Sequence, residues 1–180
     1  MNVIDTAIPD CKIIEPRVFG DERGYFMETW NEEKFADAGL PMSWVQDNHS
    51  HSQKGVLRGL HFQNPGPQGK LVRVARGAVF DVAVDLRRSS EHFGQWVGVE
   101  LTAENKRMFW VPEGFAHGFL TLGDGTDFLY KCTAPYTPAS EHTLAWDDPT
   151  VGVEWPVAGL DPIISEKDAD GLSLADVLAF

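Results

Sequence analysis

The chain has 180 residues, 43% of them hydrophobic and 23% charged, which allows a sizeable core without disulfides or structural metal. Its 15 Lys and Arg stand against 27 Asp and Glu, a net charge of −12. That argues against general nucleic-acid or membrane-surface binding, both of which want a basic face, but leaves room for one anionic small ligand if the few cations converge on a pocket.

Met1 to Pro16 carries Asp5, Asp10 and Glu15 and no apolar segment, so no signal peptide is expected. No stretch approaches the length of a membrane-spanning helix. Cys11 and Cys132 lie far apart in sequence and read as reduced thiols of a cytoplasmic protein. One domain over 1–180 is expected.

The first clear element is a helix. Asn31 can cap it, Glu32 and Glu33 suit its positive end, and Gly39 with Pro41 ends it. Strands follow. Lys70 to Ala75 is one, and Ala78 to Arg87, alternating apolar and polar, is a second, half-buried strand; with Arg76-Gly77 as the turn, the two are expected to form a hairpin. Gln95 to Leu101 and Lys106 to Val111 continue the series, as do Phe115 to Leu122 and Thr126 to Cys132. Short strands at this spacing predict an all-β sandwich or barrel. Trp155 to Asp161 reads as irregular. Ser165-Glu166-Lys167-Asp168 resembles a capping box before a short helix, and Leu172 to Phe180 reads as a second short helix. The segment from about 155 to 180 is expected to pack on the barrel.

Three stretches carry chemistry. In Gln46-Asp47-Asn48-His49-Ser50-His51-Ser52 the amides and hydroxyls suit a base, a ribose or a sugar. His49-x-His51 also has metal-pair spacing, but the carboxylate that a metal-binding cupin places soon after is missing: the next acid is Asp81. A no-metal reading therefore ranks first. In Arg58-Gly59-Leu60-His61-Phe62-Gln63 a histidine sits inside a strand. Alone it reads as a core or edge histidine bonded to a backbone carbonyl. With Arg58 before it and Lys70 after a Pro/Gly loop, the cations need an anion or carboxylate partner. In Pro112-Glu113-Gly114-Phe115-Ala116-His117 a turn delivers a histidine into the next strand, as in the second motif of cupins; the plain alternative is a structural histidine.

Together these runs resemble the dTDP-4-dehydrorhamnose 3,5-epimerase family. The resemblance starts at Phe19-Gly20-Asp21-Glu22-Arg23-Gly24-Tyr25-Phe26-Met27-Glu28. It continues through Gln46-Asp47-Asn48, Gly55 to His61, Gly69 to Val74 and Asp81 to Arg87. Pro112 to Phe119, Tyr130-Lys131 and Ser165 to Asp168 complete it, in collinear order along nearly the whole chain. It implies a cupin-type jelly-roll β-barrel with a few short helices, mainly at the C-terminus, and an epimerase that uses neither metal nor cofactor. The implied reaction inverts C3 and C5 of a dTDP-4-keto-6-deoxy sugar in dTDP-L-rhamnose synthesis; a mono-epimerase of another deoxysugar route is the near alternative. It also implies a general base at His61, paired with Asp168, a general acid at Tyr130, and Lys70 beside the enolate. Arg23, Glu28, Gln46, Asn48, Arg58, His117, Glu141 and Lys167 would hold the nucleotide-sugar, with Tyr136 on the thymine. A homodimer follows too, with Phe19, Arg23 and Glu28 completing the partner's site.

These residue types fit the chemistry. A C4 ketone acidifies the hydrogens at C3 and C5. Inversion then needs a base, a charge stabiliser, and an acid on the far side. Histidine has an unperturbed pKa of about 6.5, and a carboxylate on its other nitrogen fixes the tautomer. Read without the resemblance, Asp168 is a helix-cap carboxylate, Lys70 a solvated lysine, Tyr130 a barrel tyrosine, and Arg23 and Arg58 members of surface ion pairs. Geometry adds one requirement. Arg58 and His61 are an odd number of residues apart and would face opposite sides of a regular strand, so an irregularity is expected near Gly59. Two other classes compete: a metal cupin using His49, His51, His61 and His117, and a noncatalytic nucleotide-sugar binder.

Overall fold

A computed structural model describes residues 1–41, 43–157, 159 and 161–180. Val-, Ile- and Phe-rich segments form two facing sheets, as β-branched and aromatic side chains favour. The first sheet has β1 (Asn2–Asp5), β2 (Lys12–Glu15), β10 (Met108–Val111), β7 (Lys70–Arg76), β12 (Thr126–Cys132) and β5 (Gln46–Ser52), in that spatial order. The second has β13 (Glu141–Thr143), β6 (Leu57–Gln63), β11 (Phe115–Thr121), β8 (Ala78–Asp85) and β9 (Trp96–Thr102). β3 (Val18–Asp21) and β4 (Gly24–Met27) form a separate hairpin. Among the described residues the two large sheets share no strand, so the fold is a jelly-roll sandwich rather than a closed barrel.

Val72, Val74, Val79, Val99, Phe109 and Phe128 fill the space between the sheets. The outer face of the six-stranded sheet is covered by α1 (Glu32–Asp37), whose Phe35 packs with Ile14, Leu71 and Met108. The Asn31 side chain accepts a hydrogen bond from the Lys34 amide, as a helix cap should. The outer face of the five-stranded sheet is covered by the C-terminal segment, where Leu174 and Val177 meet Val82, Val84 and Leu86.

Three expectations need correction. β7 and β8 do not pair; they lie in different sheets. Only Gly77 separates them, too short a link for a two-residue hairpin. Its φ is +80°, and a Cβ there would come within 2.2 Å of Thr126 Oγ1, so the chain turns tightly against β12 and crosses over. β8 is also buried on both faces, not one: Val79 and Ala83 face the other sheet, while Val82 and Val84 face the tail. Finally, Leu172 to Phe180 forms turns, not a helix. Its backbone is held from outside instead: the Phe180 amide donates to Leu86 O at 2.9 Å, and the Leu174 amide to the Asp148 carboxylate at 2.9 Å. The stretch from Trp155 to Asp161 has no regular structure at its described residues; Ala158 and Leu160 lie outside the described residues. Among the described residues no helix is long and apolar enough to cross a membrane.

Candidate active site

The mouth of the sandwich opens into a cavity of about 440 Å³ between the sheets. His61 and His117 come from β6 and β11 of one sheet, and Lys70 and Tyr130 from β7 and β12 of the other. The two pairs therefore stand on opposite walls.

The expected irregularity is present on β6. His117 pairs with His61 and Phe119 with Arg58, so three steps along β6 match two along β11. One extra residue restores parity, and both Arg58 and His61 reach the cavity. Glycine is needed on each side of this point. Gly59 has φ +123°, and a Cβ on it would lie 2.5 Å from Gly118 Cα; a Cβ on Gly118 would lie 2.5 Å from Arg58 O.

Asp168 arrives from the far end of the chain. The Leu57 amide donates to Ile163 O, and the Ile163 amide to Gly55 O, at 3.0 and 2.8 Å. This anchors the tail along the start of β6. α2 (Glu166–Ala169) follows, with Ser165 Oγ accepting from the Asp168 amide at 3.2 Å. Asp168 is thereby buried with Oδ1 at 2.5 Å from His61 Nε2. Burial pushes its carboxyl up, but the hydrogen bonds from His61 and Ser165 outweigh that and hold it below the usual carboxylate range. As the ionised carboxylate can only accept, His61 Nε2 carries the proton and Nδ1 keeps the free lone pair.

His117 bonds the fully buried Asp81 in the same way, Nε2 lying 2.9 and 3.1 Å from the carboxylate oxygens. Burial pushes the Asp81 carboxyl up and the His117 imidazole down, against their mutual attraction. On the other wall, burial lowers the Lys70 ammonium from the ordinary lysine value and raises the Tyr130 phenol. At the rim, Tyr136 donates its hydroxyl to Glu141 at 2.6 Å, and Glu141 pairs with Lys167 at 2.6 Å. Gln46, Asn48 and Arg58 complete the lining.

Such a cavity can take a proton at one wall and return one at the other. The family model for dTDP-4-dehydrorhamnose 3,5-epimerase matches residues 5–176. The chain belongs to that family. It is 59% identical over 171 residues to the dTDP-4-dehydrorhamnose 3,5-epimerase of Salmonella typhimurium, covering 94% of this chain and 93% of that one. A crystal structure of the dTDP-6-deoxy-D-glucose-3,5-epimerase of Legionella pneumophila, in complex with dTDP-4-keto-L-rhamnose, superposes with a TM-score of 0.95. It is 51% identical, covering 98% of this chain and 94% of that one. The ChmJ 3'-monoepimerase of Streptomyces bikiniensis has the same fold, with a TM-score of 0.89, at 34% identity over 95% of this chain and 87% of that one.

Of the site residues implied by the epimerase resemblance, Phe19, Arg23 and Glu28 are not brought to the cavity. Phe19 and Arg23 lie on the exposed β3–β4 hairpin, where Arg23 pairs with Asp21, and Glu28, just beyond it, pairs with Lys34. The four-histidine metal set is not assembled either. Side chains alternate along β5, so Asn48 and Ser50 line the cavity while His49 and His51 point outward, both bonding Asp127 Oδ1, at 3.1 and 2.9 Å. The cavity is also lined by Gln63 and Gln68, with Asp81 behind His117, none of which the sequence marks as a site residue, and by Ser50 and Ser165, which the sequence offers as a polar strand residue and a helix cap. An acid in the middle of the apolar run Val79 to Val84 was the available signal for Asp81; Gln63 and Gln68 carry no distinctive pattern.

Proposed function

We propose that this chain inverts C3 and C5 of dTDP-4-dehydro-6-deoxy-D-glucose, giving dTDP-4-dehydro-L-rhamnose for dTDP-L-rhamnose synthesis. The observation that carries the reading is the opposition of His61 with Asp168 on one wall to Tyr130 and Lys70 on the other. Inversion needs a proton removed from one face and returned to the other, and two facing sheets supply two faces. His61 Nδ1 takes the C3 or C5 hydrogen as base, a role typically worth about 10²–10⁴ in rate. Asp168 stabilises the imidazolium that results. The Lys70 ammonium offsets charge on the C4 oxygen as the enolate forms. Tyr130, raised above the ordinary phenol value, stays protonated and donates from the far side.

Arg58 suits the diphosphate, since a guanidinium binds two oxygens at once. Gln46, Asn48, His117, Glu141 and Lys167 hold the remaining polar groups of the nucleotide-sugar, and Tyr136 stacks on the thymine. The greater identity to the two 3,5-epimerases than to the monoepimerase favours inversion at both centres.

The working form is a cytoplasmic homodimer. Among the described residues β3 and β4 pair only with each other, and Phe19, Tyr25 and Phe26 stand exposed, Phe26 at 68%. An exposed aromatic hairpin of this kind suits a protein partner, and Arg23 on it would reach a partner's nucleotide. A monomer mass by light scattering would refute this part.

The deciding test is incubation with dTDP-4-keto-6-deoxyglucose in heavy water, followed by NMR. Exchange and inversion at C3 and C5 are expected. Inversion at one centre alone makes the chain a mono-epimerase. No exchange by folded protein that binds dTDP overturns the acid/base reading.

A further inference from the structure

The loop 133–137 carries Tyr136, and its Pro135, Tyr136 and Thr137 are all exposed. Its place is set by side-chain amides reaching up from the cavity wall. Gln63 Oε1 accepts from the Thr137 amide at 2.7 Å, and Gln63 Nε2 donates to Pro135 O at 3.3 Å and to Gly66 O at 2.8 Å. Gln68 Nε2 donates to Ala134 O at 2.7 Å, and Gln46 Oε1 accepts from the Tyr136 amide at 2.8 Å. Three glutamines from separate parts of the fold thus grip four consecutive residues.

Gln63 is the centre of this arrangement. It is 3% exposed, and its acceptor and both amide hydrogens are used within the protein. It also joins two loops: the one holding Gly66, which leads into Lys70, and the one holding Tyr136. The backbone groups it bonds would otherwise turn to water and let the loop drift.

We propose that Gln63 is a positioning residue for nucleotide recognition, holding the 133–137 loop so that the Tyr136 ring is preset to stack on the nucleobase. The inference rests on the reading of Tyr136 given above. A preset ring loses little freedom on binding, which is how rigid loops gain affinity. Base–aromatic stacking is worth about 5- to 150-fold in affinity, and that benefit requires a fixed ring.

The test is a double-mutant cycle on dTDP affinity, measured by calorimetry, with Gln63→Met and Tyr136→Ala alone and combined. Gln63→Met is expected to weaken dTDP about tenfold and to raise KM for the nucleotide-sugar by a similar factor, with kcat at saturation changing much less. In the Tyr136→Ala background the same substitution should change dTDP affinity less than twofold. Gln68→Leu removes one bond from the same loop at a half-buried position. It should act in the same direction but more weakly, and it serves if Gln63→Met does not fold. Additive effects, or a fall in kcat with KM unchanged, would overturn the proposal, as would wild-type dTDP affinity in both variants. Failure of the epimerase reading shows separately, as a wild-type protein that exchanges no hydrogen at C3 or C5.

Discussion

The two walls of the cavity solve different problems. On the five-stranded sheet both histidines are tied to buried carboxylates, His61 to Asp168 and His117 to Asp81. On the six-stranded sheet Lys70 and Tyr130 are governed first by desolvation, which lowers the one and raises the other. A histidine with a carboxylate behind it can accept a proton and hold it. A tyrosine raised above its ordinary value keeps its proton until the enolate calls for it. Of the two histidines, His61 is the one placed to take a proton during turnover, while burial lowers the His117 imidazole and suits it to binding; Lys70 and Tyr130 on the other wall begin each turnover charged and protonated.

Breaking the walls separately should give different results. His61→Ala removes the base for both centres. Exchange and inversion at C3 and C5 should fall together, by about 10²–10⁴, as NMR in heavy water would show. Tyr130→Phe leaves the base intact. Hydrogen should still leave and return on the His61 side, so exchange should persist while inversion drops about 10²-fold. Parallel loss of exchange and inversion in Tyr130→Phe would mean that the walls are not divided in this way.

Lys70 sharpens the comparison through pH. Catalysis needs its charged form, and burial lowers its pKa from the ordinary lysine value. Activity should therefore fall, as pH rises, before the usual lysine range near about 10.4. Lys70→Arg keeps a charge that does not titrate in this range. It should lose rate through altered geometry, but its alkaline limb should move to higher pH or disappear. An unmoved limb in the kcat/KM profile would assign it to another group.

Much of this was legible in the sequence because local pattern and fold agree there. The Asn31 cap, the Thr126–Cys132 strand and the Ser165 capping box follow from side-chain chemistry within a few residues. The bulge at Gly59 followed from parity, given that Arg58 and His61 must share a face. What escaped depends on distant partners. The crossover at Gly77 is dictated by Thr126, 49 residues away. The tail takes its shape from Leu86 and Asp148, not from its own helix propensity. β8 shows an alternation that suggests one wet face, and only the docking of that tail makes both faces dry. Of the site, the residues within motifs were readable, whereas Gln63 stood inside a motif without a visible task until the loop it holds was in place.

The smallest expected effect concerns stability. Asp168 is held below its ordinary value in the folded chain, chiefly by His61 and Ser165 against the opposing pull of burial. The unfolded chain therefore binds this proton at higher pH than the folded one does, and stability rises with pH across that interval. The contribution is complete above the unfolded value of about 3.9 and is lost as pH falls through the lower folded value. A hydrogen bond to a charged group is worth about 1.5–3 kcal/mol, and each kcal/mol moves Tm by about 2–4 °C at this chain length. Asp168→Asn should thus melt several degrees below wild type near neutrality, with the gap closing on acidification toward pH 3, as calorimetry at a series of pH values would reveal. A gap independent of pH would mean that Asp168 stabilises the fold through the shape of its cap at Ser165, and that its charge serves only the chemistry at His61.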